Sequence, residues 1–211
     1  MKTQFKRTIQ LDDLTLWSNL KLGDEKAFSQ LFEKYYSHLV QYGNSFSPHQ
    51  DKVQDCVQDV FTDIWIYRNT LNDSVLVKAY LFASVRKRIS RLQERDPIFS
   101  KSATVDAIEF LFDFSIEHQL IADETTASKV SNLNKLVNDL PARQKEALYL
   151  RYHEGLGVEE IADTLDVNYQ SASNLLYRAV LNIRKEWKQN IVLFLLLSII
   201  LISSLQYKLK I

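Results

Sequence analysis

The stretch LPARQKEALYLRYHEGLGVEEIADTLDVNYQSASNLLYRAVLNIRKEWK, residues 140–188, carries its apolar residues at helical rather than strand spacing throughout. Pro141 suits a helix start, because the N–H it lacks would be unpaired there anyway. Gly155 and Gly157 then interrupt that helix. A short helix is expected over 158–165, burying Ile161, Ala162 and Leu165, followed by a turn at Asp166, Val167 and Asn168. The turn position at Asp166 calls for left-handed backbone, which aspartate tolerates at modest cost. Asn168 is a good N-cap for a third helix. That helix places Ala172, Leu175, Leu176, Ala179 and Ile183 on one side, with Gln170, Ser171, Asn174 and Arg178 on the other. A helix, a tight turn and a second helix with a polar face form the pattern of a DNA-reading helix-turn-helix. A helical hairpin with a solvated polar face would show the same periodicity.

Composition sets the class of the remainder. The chain has 211 residues, four glycines and three prolines, too few for a turn-rich β fold, and it reads as all-α. Its single cysteine, Cys56, excludes an internal disulfide and fits a reducing compartment. With 26 basic and 26 acidic residues the formal charge is zero, so the distribution of charge has to speak for the partners. No apolar run follows the basic N-terminus as a signal peptide would require.

A first helical unit spans 11–42, with a break at Gly23 and Asp24. A second helix, expected over 51–67, has two clean faces: Val53, Val57, Val60, Phe61, Ile64 and Trp65 against Asp51, Asp55, Gln58, Asp59, Thr62 and Asp63. The acidic face serves equally as a solvated surface or a docking site. In the helix expected over 75–95 the sign reverses: Lys78, Arg86, Lys87, Arg88, Arg91 and Arg95 stand against Glu94, interleaved with Tyr80 and Phe82. Cations beside stacking-capable rings suit single-stranded DNA, although a basic helix kept for solubility would look the same.

These residues resemble those of an extracytoplasmic-function (ECF) sigma factor, the small promoter-specificity subunit of bacterial RNA polymerase. Asp55, Gln58, Asp59, Phe61 and Trp65 are similar to the family's D-x-x-Q-[DE]-x-F-x-x-x-W helix. Gly23, Asp24, Ala27, Phe28, Leu31, Phe32 and Tyr35 resemble its opening, and Tyr80 and Leu81 the start of the helix that meets the −10 element. Leu140, Pro141, Glu146, Gly155, Glu159 to Ala162, Leu165, Arg178 and Ala179 resemble its −35-reading region. Two departures stand out: Arg88 where many members carry asparagine, and Ser171-Ala172 in place of threonine-valine. They bear on which promoter is read.

The resemblance implies two small helical domains joined by a linker: a region 2-like domain over 1–95, a linker over 96–115, and a region 4-like helix-turn-helix domain over 116–188. An apolar C-terminal helix would follow over 189–211. It implies docking of Asp55, Gln58 and Asp59 on core RNA polymerase, with the β′ and β subunits as partners. Asn69, Asn72 and Asp73 would capture a base of the melted −10 element, while Arg86, Lys87 and Arg91 hold phosphates. Gln170, Ser171, Asn174, Arg178, Arg184 and Lys185 would meet the duplex −35 element, the first four reading bases. It further implies promoter DNA and an anti-sigma factor as partners, no cofactor, and a cytoplasmic location.

The linker interleaves acids with Phe99, Phe110, Phe112 and Phe114; it fits either a groove built for nucleic acid or a tether whose rings pack on the domains. The run over 191–205, IVLFLLLSIILISSL, falls just short of the roughly 17–25 residues of a spanning helix. Insertion in the inner membrane, docking on a partner and packing on the chain all fit it. Enzymatic chemistry is not expected: the four histidines share no metal-ligand spacing and no phosphate-binding glycine loop is present. A helix-turn-helix regulator that is no polymerase subunit is the alternative from another class.

Overall fold

The computed structural model describes residues 12–95, 110 and 124–186. Among these the regular structure is helical throughout. In chain order the elements are α1 (Asp13–Lys21), α2 (Glu25–Asn44), α3 (Gln50–Ile66), a 3-10 turn (Arg68–Thr70), α4 (Val77–Arg95), α5 (Glu124–Asn138), α6 (Ala142–Leu148), a π-helical turn (Tyr149–His153), α7 (Val158–Leu165) and α8 (Tyr169–Glu186). The linker, apart from Phe110, and the apolar run over 191–205 lie outside the described residues. No described helix is long and apolar enough to cross a membrane.

Local chemistry sets the first half. The Asp12 carboxylate accepts from Thr15 N at 2.7 Å, and that of Asp24 from Lys26 N at 2.8 Å, so each caps a helix whose first N–H groups lack intrahelical partners. Gly23, between them, turns the chain at φ +90°, where a side chain would be strained. Leu16, Trp17 and Leu20 of α1 meet Leu31, Tyr35 and Leu39 of α2, and α3 and α4 close the bundle with Val57, Val60, Phe61, Leu81, Phe82 and Val85. At Gly43 a Cβ would sit 2.5 Å from Val53 Cγ1, so glycine lets α2 and α3 approach this closely.

The second half follows its expected spacing. Asp166 is left-handed at φ 54°, and the Asn168 side chain accepts from Ser171 N at 2.8 Å to start α8. The Glu160 carboxylate accepts from Gly157 N at 2.6 Å and fastens the start of α7. Ala162, Leu165 and Ala172 are buried where α7 crosses α8.

Two features differ from expectation. Pro141 is the N-cap, extended at ψ 140°, with Ala142 the first helical residue. The helix it opens does not simply stop at Gly155; it widens into a π turn, Glu154 N donating to Tyr149 O at 3.1 Å. This extra residue per turn keeps Tyr149 and Leu150 in the core and places Glu154 in the interior.

The halves do not sit apart. One apolar core runs through both, and α7 packs along α4. Tyr42 of α2 stacks on Tyr149 with ring centroids 5.8 Å apart, and Phe110 of the linker, 1% exposed, lies edge-on to Tyr149 at 5.5 Å and to Phe46 at 5.2 Å. At Phe110 the tether reading of the linker applies: its ring packs on both halves.

Candidate nucleic-acid and polymerase interfaces

Three surfaces carry the residues expected to function. On α3, Asp55, Gln58 and Asp59 are all exposed, one turn apart or adjacent, on the face away from the core. Their surroundings were not legible in advance. Arg88 of α4 reaches across and donates from Nη1 to Asp63 Oδ2 at 2.6 Å and from Nη2 to Asp59 Oδ2 at 2.9 Å. Partial burial works against the Arg88 charge, but these carboxylates more than offset it and hold the guanidinium above its usual range. Between the helices runs an open groove with Asp55, Asp59 and Asp63 on one wall and Lys87, Arg88 and Arg91 on the other. The arginine that departs from the family pattern therefore pairs with two of the four carboxylates of the acidic stripe.

The loop after α3 is built as a pinned turn. Arg68 donates to Trp65 O at 2.7 Å and lies over the Trp65 ring at 4.6 Å. Trp17 Nε1 donates to Asn72 O at 2.9 Å, the Asn72 side chain accepts from Ser74 N at 3.0 Å, and Asp73 pairs with Lys21. Asn69, Asn72 and Asp73 are exposed on it, Asn72 and Asp73 with part of their capacity already engaged.

Of the three cations expected to hold phosphates, Lys87 and Arg91 are exposed on α4. Arg86 is not. Its side chain is 10% exposed, and Nε donates to Glu146 Oε1 at 2.8 Å while Nη2 reaches Oε2 at 3.4 Å. The Tyr42 hydroxyl donates to the same Oε1 at 2.6 Å. Burial works against the charge on Arg86, but Glu146 outweighs it and keeps the guanidinium firmly protonated. In this arrangement, therefore, Arg86 is engaged by a carboxylate of α6 and is not open to a phosphate. The reason is the helical period, since Arg86 shares the inward face of α4 with Phe82, Val85 and Ile89.

A second charged node lies beside it. Glu154 has a side chain with no exposed surface; Lys78 Nζ and His38 Nδ1 lie 3.1 and 3.2 Å from its Oε2, and His153 Nδ1 and the Tyr149 hydroxyl both 3.2 Å from Oε1. Oε2 is held by charge rather than by an aligned hydrogen bond. Burial raises the Glu154 pKa, but Lys78 and its neighbours overcome that and leave it below the usual carboxylate range. Glu146 and Glu154 were not picked out as site residues; an acid inside the run KEALYL was the one available signal.

On α8, Gln170, Asn174 and Arg178 line one exposed strip at i, i+4, i+8, the Gln170 amide donating to Asn174 Oδ1 at 3.4 Å. Ser171 is half-buried, and Arg184 and Lys185 are exposed towards the end of the helix. Tyr169 and Tyr177, 60% and 63% exposed, flank the strip and were missed. Their placement off the stripe of Ala172, Leu175, Leu176, Ala179 and Ile183 was the signal.

The arrangement has known counterparts. Residues 131–183 match the family model described as Sigma-70, region 4. The chain is 26% identical over 186 residues to an ECF RNA polymerase sigma-E factor of Haemophilus influenzae, covering 81% of this chain and 92% of the relative. The sigma-E factor of Escherichia coli K12 is 28% identical over 193 residues, with 81% and 91% covered. Two solved structures share the fold: CnrH in complex with the cytosolic domain of CnrY, at TM-score 0.54, 16% identity and 84% and 98% coverage, and the sigma factor RpoE of Bartonella quintana in complex with the anti-sigma factor NepR, at 0.53, 22% and 78% and 99%. The region 4 match, the similarity to sigma-E factors along most of both chains and the shared helical fold agree with the motifs on α3 and α8: the chain is similar to ECF sigma factors along most of its length.

Proposed function

We propose that this chain binds core RNA polymerase, β′ and β subunits, and directs transcription initiation at promoters whose −35 element it reads and whose −10 element it captures melted. The observation that carries this reading is the exposed row Asp55, Gln58 and Asp59 on a rigid helix, in one chain with an exposed base-reading strip on α8. A carboxylate and amide row can pair with arginines of a partner helix, giving orientation and on-rate more than raw affinity. Asn69, Asn72 and Asp73 contact the displaced base, and Lys87 and Arg91 the backbone. Gln170, Ser171, Asn174 and Arg178 meet base edges in the major groove, each good bidentate contact discriminating by roughly 1–3 kcal/mol. Arg184 and Lys185 meet phosphates. The working units are 1–95 and 116–188, joined by 96–115. The site of action is the cytoplasm, where polymerase and promoter meet, and an anti-sigma factor holds the chain inactive; the fold relative RpoE is seen in complex with the anti-sigma factor NepR.

Binding of the full chain to core polymerase, beside a triple variant with alanine at Asp55, Gln58 and Asp59, tests this. Tight binding lost in the variant is expected. No binding by the unaltered chain would leave a helix-turn-helix regulator without a polymerase. On promoter DNA, Asn174→Ala is expected to change sequence preference, and Lys185→Ala to weaken all sequences evenly.

A further inference from the structure

The inward face of α4 carries two cations, Lys78 and Arg86, and both are occupied by carboxylates of the helix-turn-helix half, Glu154 and Glu146. Both carboxylates are enclosed, the side chains of Glu146 and Glu154 being 3% and 0% exposed; Arg86 is 10% exposed, while Lys78 keeps 24% of its side chain exposed. Around them Tyr42 stacks on Tyr149, Phe110 fills the gap, and α7 lies along α4. A carboxylate and a phosphate, though one is planar and the other tetrahedral, can each offer a guanidinium two anionic acceptor oxygens.

We propose that Glu146 and Glu154 act as internal stand-ins for DNA phosphates, so that the helix-turn-helix half caps α4 and single-stranded DNA binds Lys78 and Arg86 only once the two halves separate. This rests on the reading of α4 as a DNA-binding helix, but not on the polymerase contact.

The energetics suit a latch. A buried ion pair fixes geometry but adds little net stability, because desolvating both charges cancels most of their attraction. Opening rehydrates both partners at once, so no charge is stranded. An apolar seal of the same area would hold the halves together without reserving the two cations for an anion. Nucleic acid that binds only the open form shifts the balance by its differential affinity, and its apparent affinity is reduced by the open fraction.

Fluorescence anisotropy with labelled single-stranded oligo(dT) at low salt reads this, since phosphate contacts need no sequence. The full chain is compared with the double variant Glu146→Gln, Glu154→Gln and with Asp51→Asn, Glu159→Gln, which makes the same charge change at exposed positions. The interface variant is expected to bind tighter, about tenfold if the unaltered chain is closed nine-tenths of the time, and the surface variant to stay near the unaltered chain. Arg86→Gln added to the interface variant is expected to lose part of that gain. Equal affinities for the interface and surface variants would overturn the proposal. Small-angle scattering of the unaltered chain provides a readout that needs no variant: saturating oligo(dT) is expected to raise the radius of gyration, and binding without expansion would overturn the proposal. A chain that opens on oligo(dT) but ignores core polymerase would keep this inference and sink the proposed function; the reverse pattern would do the opposite.

Discussion

Arg86 and Arg88 sit two residues apart on one helix and live in different media. Arg86 faces inward, enclosed with Glu146 and the Tyr42 hydroxyl. Arg88 faces outward, 34% exposed, and bridges Asp59 and Asp63, themselves 58% and 52% exposed. Similar distances therefore mean different energies. In the enclosed pair each charge depends on the other, because neither has water to fall back on. In the exposed pair water competes for both partners, and the contact can be exchanged at small cost. The inner face of α4 joins the two halves of the molecule, and the outer face stays available.

The largest effect expected from this contrast is at Glu146. Replacing it by alanine leaves the Arg86 guanidinium enclosed without a carboxylate, a penalty of about 3–5 kcal/mol in the closed arrangement. Urea unfolding is expected to register that loss up to the point where the halves come apart, and hydrogen exchange at Tyr42 and Tyr149 is expected to rise when they do. Arg86→Met together with Glu146→Leu should restore most of the stability, as an apolar pair needs no partner. A Glu146→Ala chain as stable and as protected as the unaltered one would erase the distinction between the two arginines.

A smaller effect is expected at Glu154, on acidification. Its carboxyl is held below the usual range in the folded chain, so the folded state binds fewer protons there than the unfolded state. Its contribution is complete above the ordinary carboxylate pKa and is lost as pH falls through that value and then through the lowered folded one. Thermal melts over that window should fall less steeply for Glu154→Gln than for the unaltered chain. Parallel curves would remove Glu154 from the account of the interface.

The smallest is at Arg88. Arg88→Gln should change the stability of the chain by less than about 1 kcal/mol, as exposed pairs generally do. Chemical denaturation checks it, and a loss as large as that of Glu146→Ala would mean that the outer bridge, too, holds the fold together.

Much of the fold was legible from spacing alone. The helix-turn-helix emerged with α7 at its expected bounds, Asp166 left-handed and Asn168 capping, because these are local matters of capping, turn chemistry and period. The clean faces of α3 were legible for the same reason. The π turn after α6 was not, since its extra residue is accommodated by packing of Tyr149 and Leu150 and leaves no mark on periodicity. Nor was the fate of the basic helix: Lys78, Arg86, Lys87, Arg88 and Arg91 form one run of positive charge in the sequence. Sequence by itself determined the helices, most of their caps and the resemblance to ECF sigma factors, which depend on neighbours within a few residues. Only the tertiary structure decided that Arg86 and Lys78 meet Glu146 and Glu154, and Arg88 meets Asp59 and Asp63. Those partners lie 25 to 76 positions away along the chain, and only the folded packing of α3, α4, α6 and the π turn brings the charges within reach.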